Sequence, residues 1–473
     1  MVGGETALGV LRNCPLLMKP VIRREEIVPV LIPTSSEGQS SFASLHWRTR
    51  AKNWAGLLTR FLSFELLIQG LGFASSVLLV RALPKADYAY FTIANTMQQT
   101  MNVLADNGIS SGLTAIGGRV WDDRSRFGQL LNTAMRLRRV FALVTVVVVT
   151  PILAWMLVGA GATPAYSAWL CAAVLLALYS QLTIGVLIVA PQLHLAIERV
   201  QVLNLCFSVL RLVVIAGAYL LFLNAVVAIM AAAVSFVFQE CLLRRWLPRY
   251  ADASAPVNAN DRREILTIVK NQAPNAIYYC VQSQLAVWLI SIFGNTEGIA
   301  DIGALGRLGM IFIVAGSVMM NVVLPRFARV QEPRLVWRRY WQIVGVFCSV
   351  NALLVLSAAV FPEALLWILG PKYAHLEAEL FLMVLNAVLG SVLGTTYQLN
   401  VTRGWIVSPW VLIPTGASTE IFLIIILDMS QVRGVLLMGI LSTIPGFFLN
   451  FWRTRRGIRD AERSALTTFA QAT

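Results

Sequence analysis

One recurrence constrains this chain more than any other feature. From residue 54 onward, long and mainly apolar runs appear twelve times, at 54–80, 88–115, 140–160, 164–190, 202–223, 225–243, 271–293, 302–325, 341–361, 380–398, 405–427 and 434–452. A helix rising 1.5 Å per residue needs about 20 residues to cross a ~30 Å hydrocarbon core, and each run is close to that length or longer. Composition agrees: 57% of the 473 residues are apolar and 13% are charged. Soluble domains carry roughly a quarter charged residues, so this chain cannot cover a water-facing surface of its own. A soluble enzyme and a disordered chain are both excluded.

The net charge of +14 would suggest nucleic acid if it were gathered in one patch. It is not. With the N-terminus in the cytoplasm, 31 of the 38 Lys and Arg fall in segments on that side of the twelve runs. Only Arg81, Lys85, Lys372 and Arg433 fall in the loops opposite, and Arg60, Arg211 and Arg307 lie within runs. Positive charge is retained on the cytoplasmic side of a membrane, so the excess reads as orientation. The expectation is an all-α polytopic membrane protein of about twelve transmembrane helices, with both termini cytoplasmic and no nucleic-acid partner.

The runs divide evenly. A polar stretch at 247–266 separates six from six. The expected layout is a flexible cytoplasmic extension (1–53), a six-helix bundle (54–246), a cytoplasmic linker (247–266), a second six-helix bundle (267–455) and a cytoplasmic tail (456–473). Ala86-Asp87-Tyr88-Ala89 opens the second run and Ala300-Asp301-Ile302-Gly303 leads into the eighth. An even number of spans per half relates the halves by a pseudo-two-fold along the membrane normal. The longest loop opposite the basic side, 362–379, is too short for a catalytic domain.

Polar groups inside spans are costly and mark cavities or partners. Asn95, Gln98, Gln99, Asn102 and Asp106 share one face of the second run; Asn271, Asn275, Tyr278 and Gln282 share one face of the seventh. Both stripes are candidate cavity walls for substrate, with interhelical hydrogen bonding as the alternative. Arg211, near the middle of its run, and Arg307 are candidates for binding an anionic headgroup or for pairing with an acid. Arg60, near its run's cytoplasmic end, reads as a snorkelling residue. Glu65 and Asp106 are candidates for ion coupling. Glu420 lies deep in the eleventh run, isolated in sequence. No phosphate-binding glycine loop, HExxH or clustered Cys/His pattern is present, so no catalytic residue, metal or cofactor is expected.

Several of these residues carry a resemblance. Residues 75–119 contain an R-x-L-x-x-x-x-Y element (Arg81, Leu83, Tyr88) and a D-x-G-I-S element (Asp106, Gly108, Ile109, Ser110). Pro274, a G-x-x-x-R-L run (Gly303, Arg307, Leu308) and Pro325-Arg326 follow in the second half. Together they resemble polysaccharide-transport proteins, the O-antigen and exopolysaccharide flippases of the multidrug/oligosaccharidyl-lipid/polysaccharide exporter superfamily. The resemblance implies two six-helix bundles around a central cavity. It also implies alternating-access transfer of a polyprenyl-pyrophosphate-linked oligosaccharide across a bacterial inner membrane. The implied partners are the lipid-linked oligosaccharide, membrane lipid and polysaccharide-assembly proteins. A drug or small-molecule antiporter of the same superfamily is one alternative; a membrane polymerase or ligase, disfavoured by the short loops, is another.

Overall fold

The computed structural model describes residues 63–309, 333–405 and 407–472, with isolated positions between 316 and 327. The expected N-terminal extension and Arg60 lie outside the described residues. Thirteen helices carry the architecture: α1 (Ser63–Ala82), α2 (Lys85–Asp106), α3 (Ile109–Val120), α4 (Arg124–Gly159), α5 (Pro164–Leu187), α6 (Ile197–Leu221), α7 (Ala225–Trp246), α8 (Ala259–Phe293), α9 (Thr296–Leu308), α10 (Pro333–Val360), α11 (Glu377–Val401), α12 (Pro409–Ile426) and α13 (Val432–Ala472). No strand occurs among the described residues.

Ten helices among the described residues are long and apolar enough to cross a membrane. The two expected runs outside that ten are instructive. The second is too polar to qualify, because of the stripe it carries. The eighth is described only over α9. Val144, Val147, Trp155, Leu220, Leu221, Trp410 and Ile425 are all exposed, an apolar belt that only lipid can cover.

The helices pack in two groups. In the first, α5 lies along α7, α2 against α4 and α5, and α6 on α7; in the second, α11 lies along α13, with α10 and α12 flanking them. α8 touches both, reaching α2, α3 and α4 at one part of its length and α12 and α13 at another.

Several helices outrun the expected spans, for local reasons. α4 starts at Arg124, sixteen residues before the apolar run, because the Asp123 carboxylate accepts the Ser125 and Arg126 amides and caps it. α8 begins inside the expected linker, where the Asn258 side chain accepts the Asn260 amide. The linker is tied down: Asn132 donates to the carbonyls of Ala253 and Ala255, and the Asn258 amide donates to the Thr133 hydroxyl. Ser254 donates its amide and hydroxyl to Asp252, holding that carboxyl below the usual range.

The expected second span is broken in two. Asn107 (φ 42°) and Gly108 (φ 92°) are both left-handed, which ends α2 and starts α3 at an angle. A Cβ on Gly108 would sit 3.0 Å from the Gln272 side chain of α8. The D-x-G-I-S element therefore has a structural meaning: Gly108 permits the break, and the Ser110 hydroxyl donates back to Asp106 at 2.5 Å across it.

Both ends join the two helix groups. At the basic end, Arg126 of α4 makes a two-pronged pair with Asp261 of α8, both contacts at 2.5 Å, and Asp261 is 1% exposed. The carboxylate holds the Arg126 guanidinium's proton more tightly than usual. Arg119 of α3 pairs with Glu264 beside it. At the opposite end, Arg81 donates to the carbonyls of Trp367 and Ile368 and lies over the Trp367 ring at 4.9 Å. Lys372 donates to the carbonyls of Arg81 and Leu83 at 3.1 and 2.8 Å. One buried apolar cluster runs through this end across both groups, including Leu83, Tyr88, Ile299, Tyr373 and Val435.

Candidate functional site

Between the groups lies a cavity of about 780 Å³. Its walls come from α2 (Thr92, Asn95, Thr96), α8 (Tyr278, Tyr279, Gln282), α9 (Arg307), α11 (Asn386, Tyr397, Gln398), α12 (Glu420) and α13 (Ser442, Asn450), among others. The space has a sequence origin. On α11, Asn386, Gly390, Gly394 and Tyr397 fall at spacings of four, four and three, one helical face. Gly390 and Gly394 carry no side chain to fill the volume, and nothing lies within 4 Å of where a Cβ would be. Gly439 and Gly446 on α13 instead permit close packing, letting Asn386 and Leu393 lie against its backbone.

Of the described residues lining the cavity, Arg307 and Glu420 are the charged ones, and neither forms an ion pair with another described residue. The Arg307 Nε donates to the Tyr88 hydroxyl at 3.2 Å, and the guanidinium lies 5.6 Å over the Phe91 ring. The Tyr88 hydroxyl in turn donates to the Gly303 carbonyl at 3.1 Å. Residues of the two resembling elements, R-x-L-x-x-x-x-Y and G-x-x-x-R-L, thus meet at one joint between α2 and α9. Gly303 is required there, because any Cβ would collide with Thr92.

The expected site residues separate into three sets. Asn95, Tyr278, Gln282 and Arg307 line the cavity together. Gln98, Asn102 and Asp106 turn instead into the first helix group. Gln98 is 3% exposed and donates to Gln181 of α5 at 3.2 Å; Asn102 accepts from Arg138 at 3.3 Å, and Asp106 pairs with Arg138 at 3.4 Å. Gln99 is half-buried beside them. Asn271 is exposed, and Asn275 is half-buried with a buried carbonyl oxygen lacking a hydrogen-bond partner; neither lines the cavity. Glu65 accepts from Gln69 within its own helix at 3.0 Å. Arg211 is partly buried outside the lining, with its Nε unpartnered, and the charge acting on it is that of Arg307. It has no acid in an ion pair among the described residues.

Sequence reasoning missed Arg138 and left Glu420 without a partner. Arg138 was expected in a basic loop; it is 3% exposed inside the first helix group, and a Cβ on Gly185 of α5 would strike its guanidinium. The signal was present: Phe127, Leu130, Leu131, Ala134 and Arg138 form one helical stripe, so Arg138 continues an inward face while Arg136 and Arg139 point out. Glu420, an isolated acid in the sequence, is brought by the fold to Tyr278 and Gln282, about 140 positions away. No sequence signal joins α8 to α12.

No family model matches the chain, and no curated protein matches it in sequence. Solved structures do match in fold. The inward-facing form of a multidrug-resistance MATE transporter of the MOP superfamily aligns with TM-score 0.66 at 13% identity, over 84% of this chain and 96% of that one. The lipid II flippase MurJ, in an inward closed conformation, aligns with TM-score 0.65 at 10% identity, over 87% and 91%. An outward-facing MATE transporter gives 0.56 at 14% identity, over 86% and 96%. The chain has the fold of MOP-superfamily transporters.

Proposed function

We propose that this protein is a flippase that moves a polyprenyl-pyrophosphate-linked oligosaccharide across a bacterial inner membrane by alternating access. The observation that carries the reading is a cavity between two helix groups, holding an arginine with no ion pair among the described residues and Asn, Gln, Ser and Tyr among its lining. Arg307 suits a pyrophosphate, since a guanidinium presents paired donors to anionic oxygens. Arg211, acting on Arg307 through charge, adds to the same positive field. The polyprenyl tail would stay in lipid outside the cavity. A lipid II flippase is among the solved structures of like fold, which supports a lipid-linked substrate.

Sidedness follows from charge. The basic end faces the cytoplasm, so the end clamped by Arg81, Lys372 and Tyr88 faces outward. A second reading, an ion-coupled drug or small-molecule antiporter, is favoured by one observation: the buried carboxylate of Glu420 in the same cavity, together with MATE transporters of like fold.

The deciding experiment uses purified protein in vesicles with labelled polyprenyl-pyrophosphate oligosaccharide, reading headgroup accessibility on each side. Protein-dependent translocation is expected. Arg307→Ala should slow it roughly tenfold or more, since charged hydrogen bonds are worth about 1.5–3 kcal/mol, and Arg211→Ala should slow it less, since Arg211 lies outside the lining and acts through charge alone, with folded protein retained in both. No translocation by the unaltered protein, with expulsion of organic cations instead, transfers the assignment to the antiporter.

A further inference from the structure

Glu420 is the feature that the flippase reading leaves unused. Its side chain is buried at 7% exposure, and Oε1 has no hydrogen-bond partner among the described residues. Leaving a polar atom of a carboxylate unsatisfied in this way is costly, so such a group marks a place where a ligand completes the set. It lines the cavity, and its surroundings are specific. Gln282 of α8 faces the carboxylate. Tyr278 lies close enough to feel its charge, with the hydroxyl packed where a Cβ on Gly416 would be, one turn before Glu420 on α12. Tyr278 and Tyr279 rings stand 5.5 Å apart, and Tyr279 and Tyr397 rings 6.3 Å apart, so a row of rings runs from Tyr278 beside the acid to Tyr397 along the same cavity wall.

From this arrangement we infer that Glu420 with Tyr278, Tyr279 and Tyr397 forms a sugar subsite that selects a donor-bearing residue, above all an amino sugar, and rejects a uronic acid. The inference rests on the flippase reading for its substrate class. The chemistry is direct. A desolvated carboxylate accepts from hydroxyl and ammonium groups and repels a second carboxylate, and the low dielectric enlarges both effects. Tyrosine rings offer flat apolar faces to the C–H side of a pyranose and a positive-charge-attracting face to an ammonium. The cavity is then polarised along the substrate: Arg307 takes the pyrophosphate, and Glu420 takes a sugar of the attached chain. An organic cation would meet the same carboxylate and rings, so the test must separate the two.

The test measures binding to the full-length protein in detergent by calorimetry, with no lipid, pyrophosphate or transport involved. The probes are a glucosamine trimer, a glucose trimer, a galacturonic acid trimer and tetraphenylphosphonium. The expected order is glucosamine, then glucose, then galacturonic acid, with roughly tenfold between the first and last. Glu420→Gln should collapse that order to within about twofold. Tyr397→Leu should weaken all three sugars alike and keep the order, which holds the inference testable if Glu420→Gln folds poorly. Equal binding of the acidic and amino trimers overturns it, as does an order unchanged in Glu420→Gln. Glu420-dependent binding of tetraphenylphosphonium with no saccharide binding also overturns it. Failed translocation in vesicles alongside the expected order would sink the flippase reading and leave the subsite standing; the converse result would do the opposite.

Discussion

Arg138 shows how one side chain can be read wrongly from its neighbours. It sits in the run Arg136-Leu137-Arg138-Arg139, which looks like a solvated basic loop. The helix turns it inward, where it meets Asp106 at 3.4 Å and Asn102 at 3.3 Å, with its Nε and Nη1 short of hydrogen-bond partners. Removing one member of a buried pair strands the other, which costs about 3–5 kcal/mol when both are fully buried. Asp106 keeps partial exposure, so Arg138→Met should cost about 2–3 kcal/mol. Pairing it with Asp106→Asn should return at least about 1 kcal/mol. Thermal unfolding in detergent reads both. Strict additivity of the two losses would mean that the pair carries no coupling.

At the scale of elements, the joint between α2 and α9 decides how closely the two helix groups approach. Gly303 lets the backbone of α9 lie on Thr92, and Tyr88 ties both to Arg307 through its hydroxyl. A side chain at 303 cannot be absorbed, because Tyr88 is fully buried and Thr92 is 3% exposed. Gly303→Val should therefore part the helices at this end, at about 1–3 kcal/mol of overpacking. A cysteine at position 92 should become reactive to a water-soluble maleimide in the Gly303→Val background and stay protected with Gly303 intact. Equal labelling in both would show that the contact does not hold the end shut. The break at Asn107-Gly108 is the other element-level feature. It turns α3 against α8, where Arg119 and Glu264 meet, so α2 and α3 reach opposite ends of the molecule.

At the scale of the whole molecule, the two ends differ in kind. The basic end is joined by ion pairs, Arg126 with Asp261 and Arg119 with Glu264. The opposite end is joined by backbone acceptors and a shared apolar cluster, with Lys85 and Asp301 facing each other at 3.7 Å. Alternating access requires the second junction to open. Replacing Lys85 and Asp301 with cysteines and bridging them with a short thiol-reactive reagent should stop translocation, and cleaving the bridge should restore it. A membrane-impermeant reagent should form that bridge from outside intact cells. Bridging only after cell lysis would reverse the proposed orientation, and undiminished transport in the bridged protein would remove this end from the gating motion.

The membrane class, the helical content and the basic asymmetry were legible in the sequence, because long apolar runs and displaced Lys and Arg are one-dimensional properties that no tertiary contact can undo. Helical periodicity also made Asn95, Tyr278 and Gln282 visible as members of inward faces. It could not separate Asn95 from Gln98, Asn102 and Asp106, since a stripe wide enough to turn a corner faces a cavity on one flank and a neighbouring helix on the other. Nor could it join Glu420 to Tyr278, or bring Tyr88 to Gly303 and Arg307. Those meetings depend on where helices distant in sequence cross, and on glycines at 303, 390, 394 and 416 whose role is fixed by what lies opposite them. Sequence determined that this chain spans a membrane as helices. Only the tertiary structure decided which inward faces share a cavity, because burial sets the face of a single helix while packing between helices sets its partner.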